Sequence, residues 1–127
     1  MTHPESMSIH EKHHVERLLE AARQTIAEVR YCWVATAAES GANLRAVLPF
    51  AGDPGEDEWT RWFITYRHSR KAGEIRRCGR VALAYQHSSG NDYVTLAGHA
   101  ALVEGYWRPE WDAIFPPGSP VAHMIAV

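Results

Sequence analysis

Phe63-Ile64-Thr65-Tyr66-Arg67-His68-Ser69-Arg70-Lys71 joins a strand-like run to a helix start, and the rest of the chain is read outward from it. Apolar and β-branched residues end at Tyr66, a short basic turn follows, and Ser69 opens a helix expected over Ser69–Arg77. The first N–H groups of a helix have no internal partner, and the macrodipole makes that end positive. Arg70 and Lys71 add two cations where cations disfavour the helix, so an anion there would resolve the conflict. A phosphorylated ligand is one reading. A surface helix with solvated Arg and Lys is the other, and spacing alone leaves both open.

Upstream, Ser8-Ile9-His10-Glu11 matches a capping box. Val15, Leu18, Leu19, Ala22, Ile26 and Val29 then recur at helical spacing, which predicts a helix over Ser8–Arg30. His10 and His14 share the i,i+4 spacing of a metal pair but lack an evident third ligand, so a solvated face is preferred and no metal is assigned. Strands are expected over Tyr31–Ala37, Asn43–Phe50, Glu58–Tyr66, Arg80–His87 and Tyr93–Val103, with Gly98 marking a bulge or close backbone approach. The loop carrying Asp53, Glu56, Asp57 and Glu58 reads as a solvated hairpin tip. Arg108-Pro109-Glu110-Trp111 looks like a helix start, broken over Phe115–Pro120. Val121–Val127 fits either a helical turn or a last strand.

The 127 residues suit one domain spanning 1–127, with 1–7 expected as a flexible lead-in. A net charge of −2 argues against a nucleic-acid binder built on a basic surface. No apolar run reaches membrane-spanning length, and no signal-like N-terminus is present. Two cysteines, Cys32 and Cys78, make neither a framework nor a CxxC pair, which points to packing roles in a reducing cytoplasm. Five tryptophans call for a pocket or an interface. Hairpin-linked strands with one inserted helix predict a small antiparallel barrel.

Thr65-Tyr66-Arg67-His68-Ser69-Arg70-Lys71 resembles the T-N-x-x-S-R-K segment of the pyridoxamine 5′-phosphate oxidase-like FMN-binding split barrels. Arg45-Ala46-Val47-Leu48 is similar to that family's R-x-V-L strand. Arg80–Leu83 with Tyr93–Ala100 resembles its strand pair, and Trp111–Pro120 the W-x-x-x-F-P-x-G segment of the general stress protein branch. The resemblance implies a mainly β protein with helices: a six-stranded antiparallel split β-barrel, with an N-terminal helix and a short helix at the phosphate site. It also implies a homodimer with FMN at the subunit interface, and an oxidoreductase of unknown substrate. Arg45, Ala46, Val47 and Leu48 would line the flavin, and Ile64 and Thr65 would present polar groups to it. Ser69, Arg70 and Lys71 would hold the phosphate, and Tyr93 and Trp111 complete the cofactor set. Two alternatives are a deazaflavin-dependent reductase and a flavin-binding module without turnover.

Three departures from the family pattern bear on activity. Tyr93 stands where the oxidases carry a Gln. Phe50 stands where they carry a Lys that holds the substrate phosphate. The sequence also ends at Val127, before their C-terminal strand. True pyridoxamine 5′-phosphate oxidase activity is therefore not expected.

Overall fold

The computed structural model describes residues 8–115 and 124–126. The lead-in 1–7 and the expected helix break over 116–120 lie outside the described residues. Helix α1 covers Ile9–Glu28, and the Ser8 hydroxyl accepts the Glu11 N–H at 3.1 Å, as the capping motif predicts. Only Thr25 of this helix is buried, while Ile26 and Val29 pack against the core. Leu18 and Leu19 stay exposed, so the apolar stripe is only half used.

Strands β1 (Cys32–Ala38) and β2 (Gly41–Val47) form a tight hairpin, with Ala38 opposite Gly41. Gly41 has φ +138°, a conformation that residues with a Cβ rarely adopt. Strand β3 is Phe50–Ala51, separated from β2 because Pro49 cannot donate to a ladder. The strand expected over Glu58–Tyr66 is divided into β4 (Arg61–Trp62) and β5 (Ile64–Tyr66). Helix α2 is Arg70–Arg77, followed by β6 (Arg80–Gln86) and β7 (Tyr93–His99). A 3-10 helix, Pro109–Ala113, has Pro at its first turn. Within the segment 121–127, the described residues Met124–Ala126 form strand β8.

All pairings are antiparallel. A four-stranded sheet has the order β2-β1-β6-β7, while β3 pairs with β4 and β5 with β8. The architecture is mainly β with helices and antiparallel throughout, as expected, while the ladders among the described residues form three separate sheets rather than one six-stranded split barrel. Alternation sends Cys32 and Val34 of β1, Val47 of β2, and Leu83 and Tyr85 of β6 to one face, where they join Phe63 and Ile75 as the core. Gly98 sits in regular register opposite Val81 with nothing within 4 Å of a notional Cβ, so it marks neither bulge nor close approach. Gly79 has that role instead: a Cβ there would lie 2.9 Å from the Ala100 carbonyl oxygen.

A second cluster is aromatic. Trp111 is fully buried, with ring centroids 5.5 Å from Phe50, 5.3 Å from Trp107 and 5.9 Å from Tyr106. Trp62 stacks on Tyr106 at 4.9 Å. The acidic loop is solvent-exposed at its tip, residues 54–58, as expected, and its side chains also tether neighbouring segments. Asp53 accepts the Tyr106 hydroxyl and pairs with Arg108 at 2.7 Å. Glu56 accepts the Trp62 indole N–H, and Glu58 pairs with Arg23 of α1 at 2.8 Å. Trp111→Ala should cost about 3–5 kcal/mol of unfolding free energy, read from urea midpoints, because the cavity falls at the centre of this layer.

Candidate functional site

The turn after β5 is closed by the Ser69 N–H donating to the Tyr66 carbonyl at 3.0 Å, and Arg76 donates to the Arg67 carbonyl at 3.0 Å. Ser69 is the N-cap of α2, its hydroxyl accepting the Ala72 N–H at 3.0 Å. The same hydroxyl lies 3.0 Å from that of buried Thr65. One proton bonds the two oxygens, which leaves the other hydroxyl proton available to an acceptor. By helix geometry the N–H groups of Arg70 and Lys71 have no intrahelical partner.

Among the described residues neither Arg70 nor Lys71 has a carboxylate partner. Arg70 is exposed. Lys71 is half-buried, its ammonium 6.0 Å from the Phe63 ring centroid. Burial, and then the nearby charge of Arg45, push the Lys71 amine below the ordinary lysine range. An anion bound here would relieve both the repulsion and the unfavourable helix-end charge.

Arg45 reaches the site from β2. Asn43, Arg45 and Val47 face inward, while Leu44 and Ala46 face outward. Val34 stands opposite Arg45 and Thr36 opposite Asn43. Their shared target is Glu74, one turn along α2 and 5% exposed. Its carboxylate accepts from Thr36 Oγ1 at 2.9 Å, Asn43 Nδ2 at 2.6 Å and Arg45 Nη2 at 3.3 Å. Burial pushes the Glu74 carboxyl up, and these bonds outweigh it and hold the group below the ordinary carboxylate range. Sequence reasoning did not single out Glu74, Asn43 or Thr36.

The structure thus brings Arg45, Thr65, Ser69 and Lys71 together, with Arg70 at the rim. The other sequence-derived candidates are placed differently. Val47 is a core residue, and Leu48 lines a cavity with Pro49 and Phe50. Ile64 is half-buried and paired to β8. Ala46 lies on the outer face of β2, an edge strand among the described residues, so its outward backbone groups face no ladder partner there. Tyr93 is 77% exposed at the opposite edge of the sheet, on β7. Trp111 is enclosed in the aromatic layer. A cavity of about 860 Å³ between α1, β4 and the β6–β7 sheet is lined by residues such as Trp59, Phe63 and Leu96. None of Arg45, Ser69, Arg70 and Lys71 lines it. Among the described residues no cluster of three or more His, Cys, Asp or Glu is placed to hold a metal.

The family model "Pyridoxamine 5′-phosphate oxidase like" matches residues 17–127. The chain belongs to the pyridoxamine 5′-phosphate oxidase-like family. Solved structures agree on the fold of this family. A general stress protein 26-related protein from Clostridium acetobutylicum superposes with a TM-score of 0.67 at 17% identity, covering 87% of this chain and 81% of that one. General stress protein 26 from Bacillus anthracis gives 0.64 at 17% identity, over 86% and 84%. A pyridoxamine 5′-phosphate oxidase-related, FMN-binding protein from Nostoc punctiforme gives 0.60 at 17% identity, over 95% and 79%. No curated protein matches the chain. Among the described residues no helix is long and apolar enough to cross a membrane.

Because Glu74 is held below the ordinary carboxylate range, its contribution to stability is complete above the unfolded-state carboxylate pKa. That contribution is lost as pH falls through the lower folded-state value. In urea titrations between pH 7 and 2, wild type should lose stability faster on acidification than Glu74→Gln, which has no proton to take up at that position.

Proposed function

We propose that this protein binds FMN, with the ribityl phosphate at the start of α2, and serves as an oxidoreductase. The observation that carries the reading is the Arg45–Lys71 pair. The charge of Arg45 helps push the Lys71 amine down beside a hydroxyl-lined helix N-terminus, and neither Lys71 nor Arg70 is neutralised by a carboxylate among the described residues. Such a donor set fits a phosphate dianion. A bound flavin supplies the redox chemistry, so the chain need only bind, orient and shield it. Arg45, Arg70 and Lys71 neutralise the phosphate, and Ser69 with Thr65 donates the remaining hydroxyl proton. Ala46, Val47, Leu48 and Ile64 serve through the backbone of the end of β2, the residue that follows it and the start of β5, along which the ring system would lie. The free thiols of Cys32 and Cys78 suit the reducing cytoplasm we assign to the protein.

The reading includes a homodimer built as a split barrel, with the flavin sites between subunits. The outer face of the four-stranded sheet supports it. Leu44, Trp33, Ala84 and Ala97 lie on that face, with Leu44 60% and Trp33 50% exposed. A patch of this kind marks an interaction surface. Tyr93 cannot join Lys71 within one chain, because it lies across the sheet. A second copy would bring it to the cofactor. The test is titration of apoprotein with FMN and with riboflavin, which lacks the phosphate. FMN should bind far more tightly, and Lys71→Ala should cost about 1.5–3 kcal/mol for FMN alone. Equal affinity for the two flavins would remove the phosphate site, and light scattering should report a dimer in the same samples.

Phe50 governs what the flavin could act on. Its ring packs on Trp111, at the position where the oxidases hold the substrate phosphate with a Lys. The neighbouring cations, Arg61 and Arg67, are each engaged by other groups. Arg61 donates to the Glu58 and Thr60 carbonyls at 2.8 and 2.7 Å, and Arg67 faces Glu104 at 3.7 Å. A second phosphate would be buried without a partner, which costs several kcal/mol. The FMN-loaded protein should therefore not oxidise pyridoxamine or pyridoxine 5′-phosphate. Formation of pyridoxal phosphate at about 1 per second or faster would show a rebuilt substrate site.

A further inference from the structure

Three features beyond the phosphate contacts could carry function: the apolar cavity beneath α1, the His87–Glu28 pair, and the polar network centred on Glu74. In the first, nothing in the structure shows what would occupy it. In the second, the Nε2 to carboxylate distance of 2.7 Å ties the β6–β7 hairpin to the end of α1, and the pair involves none of Arg45, Ser69, Arg70 and Lys71. The third connects directly to the site.

We infer that Glu74 is a positioning residue of the anion site, holding Arg45 beside Lys71 through a buried hydrogen-bond network shared with Asn43 and Thr36. The inference rests on the phosphate reading and names the device that makes the site rigid. Arg45 is a long side chain on an edge strand, where it would otherwise sample many rotamers in water. Its side chain is only 25% exposed, and its one ion pair among the described residues is to Glu74. The carboxylate cannot follow Arg45 into solvent, because Asn43 holds both of its oxygens at 2.6 and 3.0 Å and Thr36 holds one at 2.9 Å. These two donors come from different strands of one hairpin. The carboxylate is thus fixed relative to β1 and β2 before Arg45 is considered.

Glu74 also lies on α2 itself, so the same group that orients Arg45 fixes the helix whose N-terminus carries Ser69 and Lys71. A buried carboxylate near an anion site opposes the anion by its charge. It is tolerable because it is fully hydrogen-bonded, and because the cation it holds is delivered pre-ordered, which lowers the entropy lost on binding. The arrangement predicts energetic coupling: Glu74 should matter to FMN only while Arg45 is present.

The test is a double-mutant cycle on FMN affinity, with riboflavin as the ligand that lacks the phosphate. Glu74→Gln in the wild-type background should weaken FMN roughly tenfold and leave riboflavin within about twofold. In an Arg45→Ala background the same change should alter FMN by less than about twofold. An equal loss in both backgrounds, or an equal loss for both flavins, would make Glu74 a general structural residue and overturn the inference. If Glu74→Gln does not fold, Asn43→Ala loosens the carboxylate while keeping it, and the same cycle with Arg45→Ala decides. Wild-type protein that binds FMN no better than riboflavin would instead defeat the phosphate site itself, and the inference with it.

Discussion

One buried carboxylate joins β1, β2 and α2. Glu74 accepts hydrogen bonds from a hydroxyl on β1, an amide on β2 and a guanidinium on β2, while belonging to α2. Removing a carboxylate from water is costly, and only a complete set of donors repays that cost. The helix therefore has one docked position on the β1–β2 hairpin. Alanine at 72 and isoleucine at 75, both buried, seat the rest of its inner face. The direction in which α2 presents its N-terminus, and so the placement of Ser69 and Lys71, depends on that docking.

The local parts of the site were legible in the sequence because they follow local rules. A Ser before Arg-Lys-Ala marks a cap wherever it occurs, and the structure places Ser69 in that role. The hairpin-linked strands expected over Tyr31–Ala37 and Arg80–His87 likewise appear as β1 and β6. Glu74 was not legible. Within Arg-Lys-Ala-Gly-Glu-Ile-Arg-Arg it looks like one more charge on a solvated helix. Its burial becomes visible only once the hairpin register sets Thr36 and Asn43 opposite each other on the inner face. The same holds for the acidic loop. The loop is exposed as read, but the pairing of Asp53 with Arg108 and of Glu58 with Arg23 spans distances in sequence that no short pattern reports.

Closure of the barrel was the part of the fold expectation that pattern could least determine. Pro49 and the break at Phe63 divide two expected strands, and each piece finds a different partner. Short pieces can pair with whatever edge the tertiary structure supplies, so hydrophobic alternation fixes their faces without fixing their neighbours. Phe63 and Thr65 are buried as alternation requires, even though β4 and β5 belong to separate ladders.

The placement of Tyr93 and Trp111 bears on how much of a cofactor site one chain can hold. Both belong to segments that resemble family motifs, yet one is on the far edge of the sheet and the other is enclosed by Phe50, Tyr106 and Trp107. A phosphate needs only a few charges at a point, and a single chain gathers them at the start of α2. A flat ring system needs walls on two sides. The outer face of the sheet offers one apolar wall, with Trp33 and Leu44 exposed on it. On the proposed reading, the anchor for the charged end would be built within the subunit, where α2 docks, and enclosure of the apolar end would fall to whatever covers the sheet. Trp111 then acts at one remove. It fills the space beside Phe50 and keeps the β3–β4 end apolar, so on the proposed reading it would act by packing and not by contact with the cofactor.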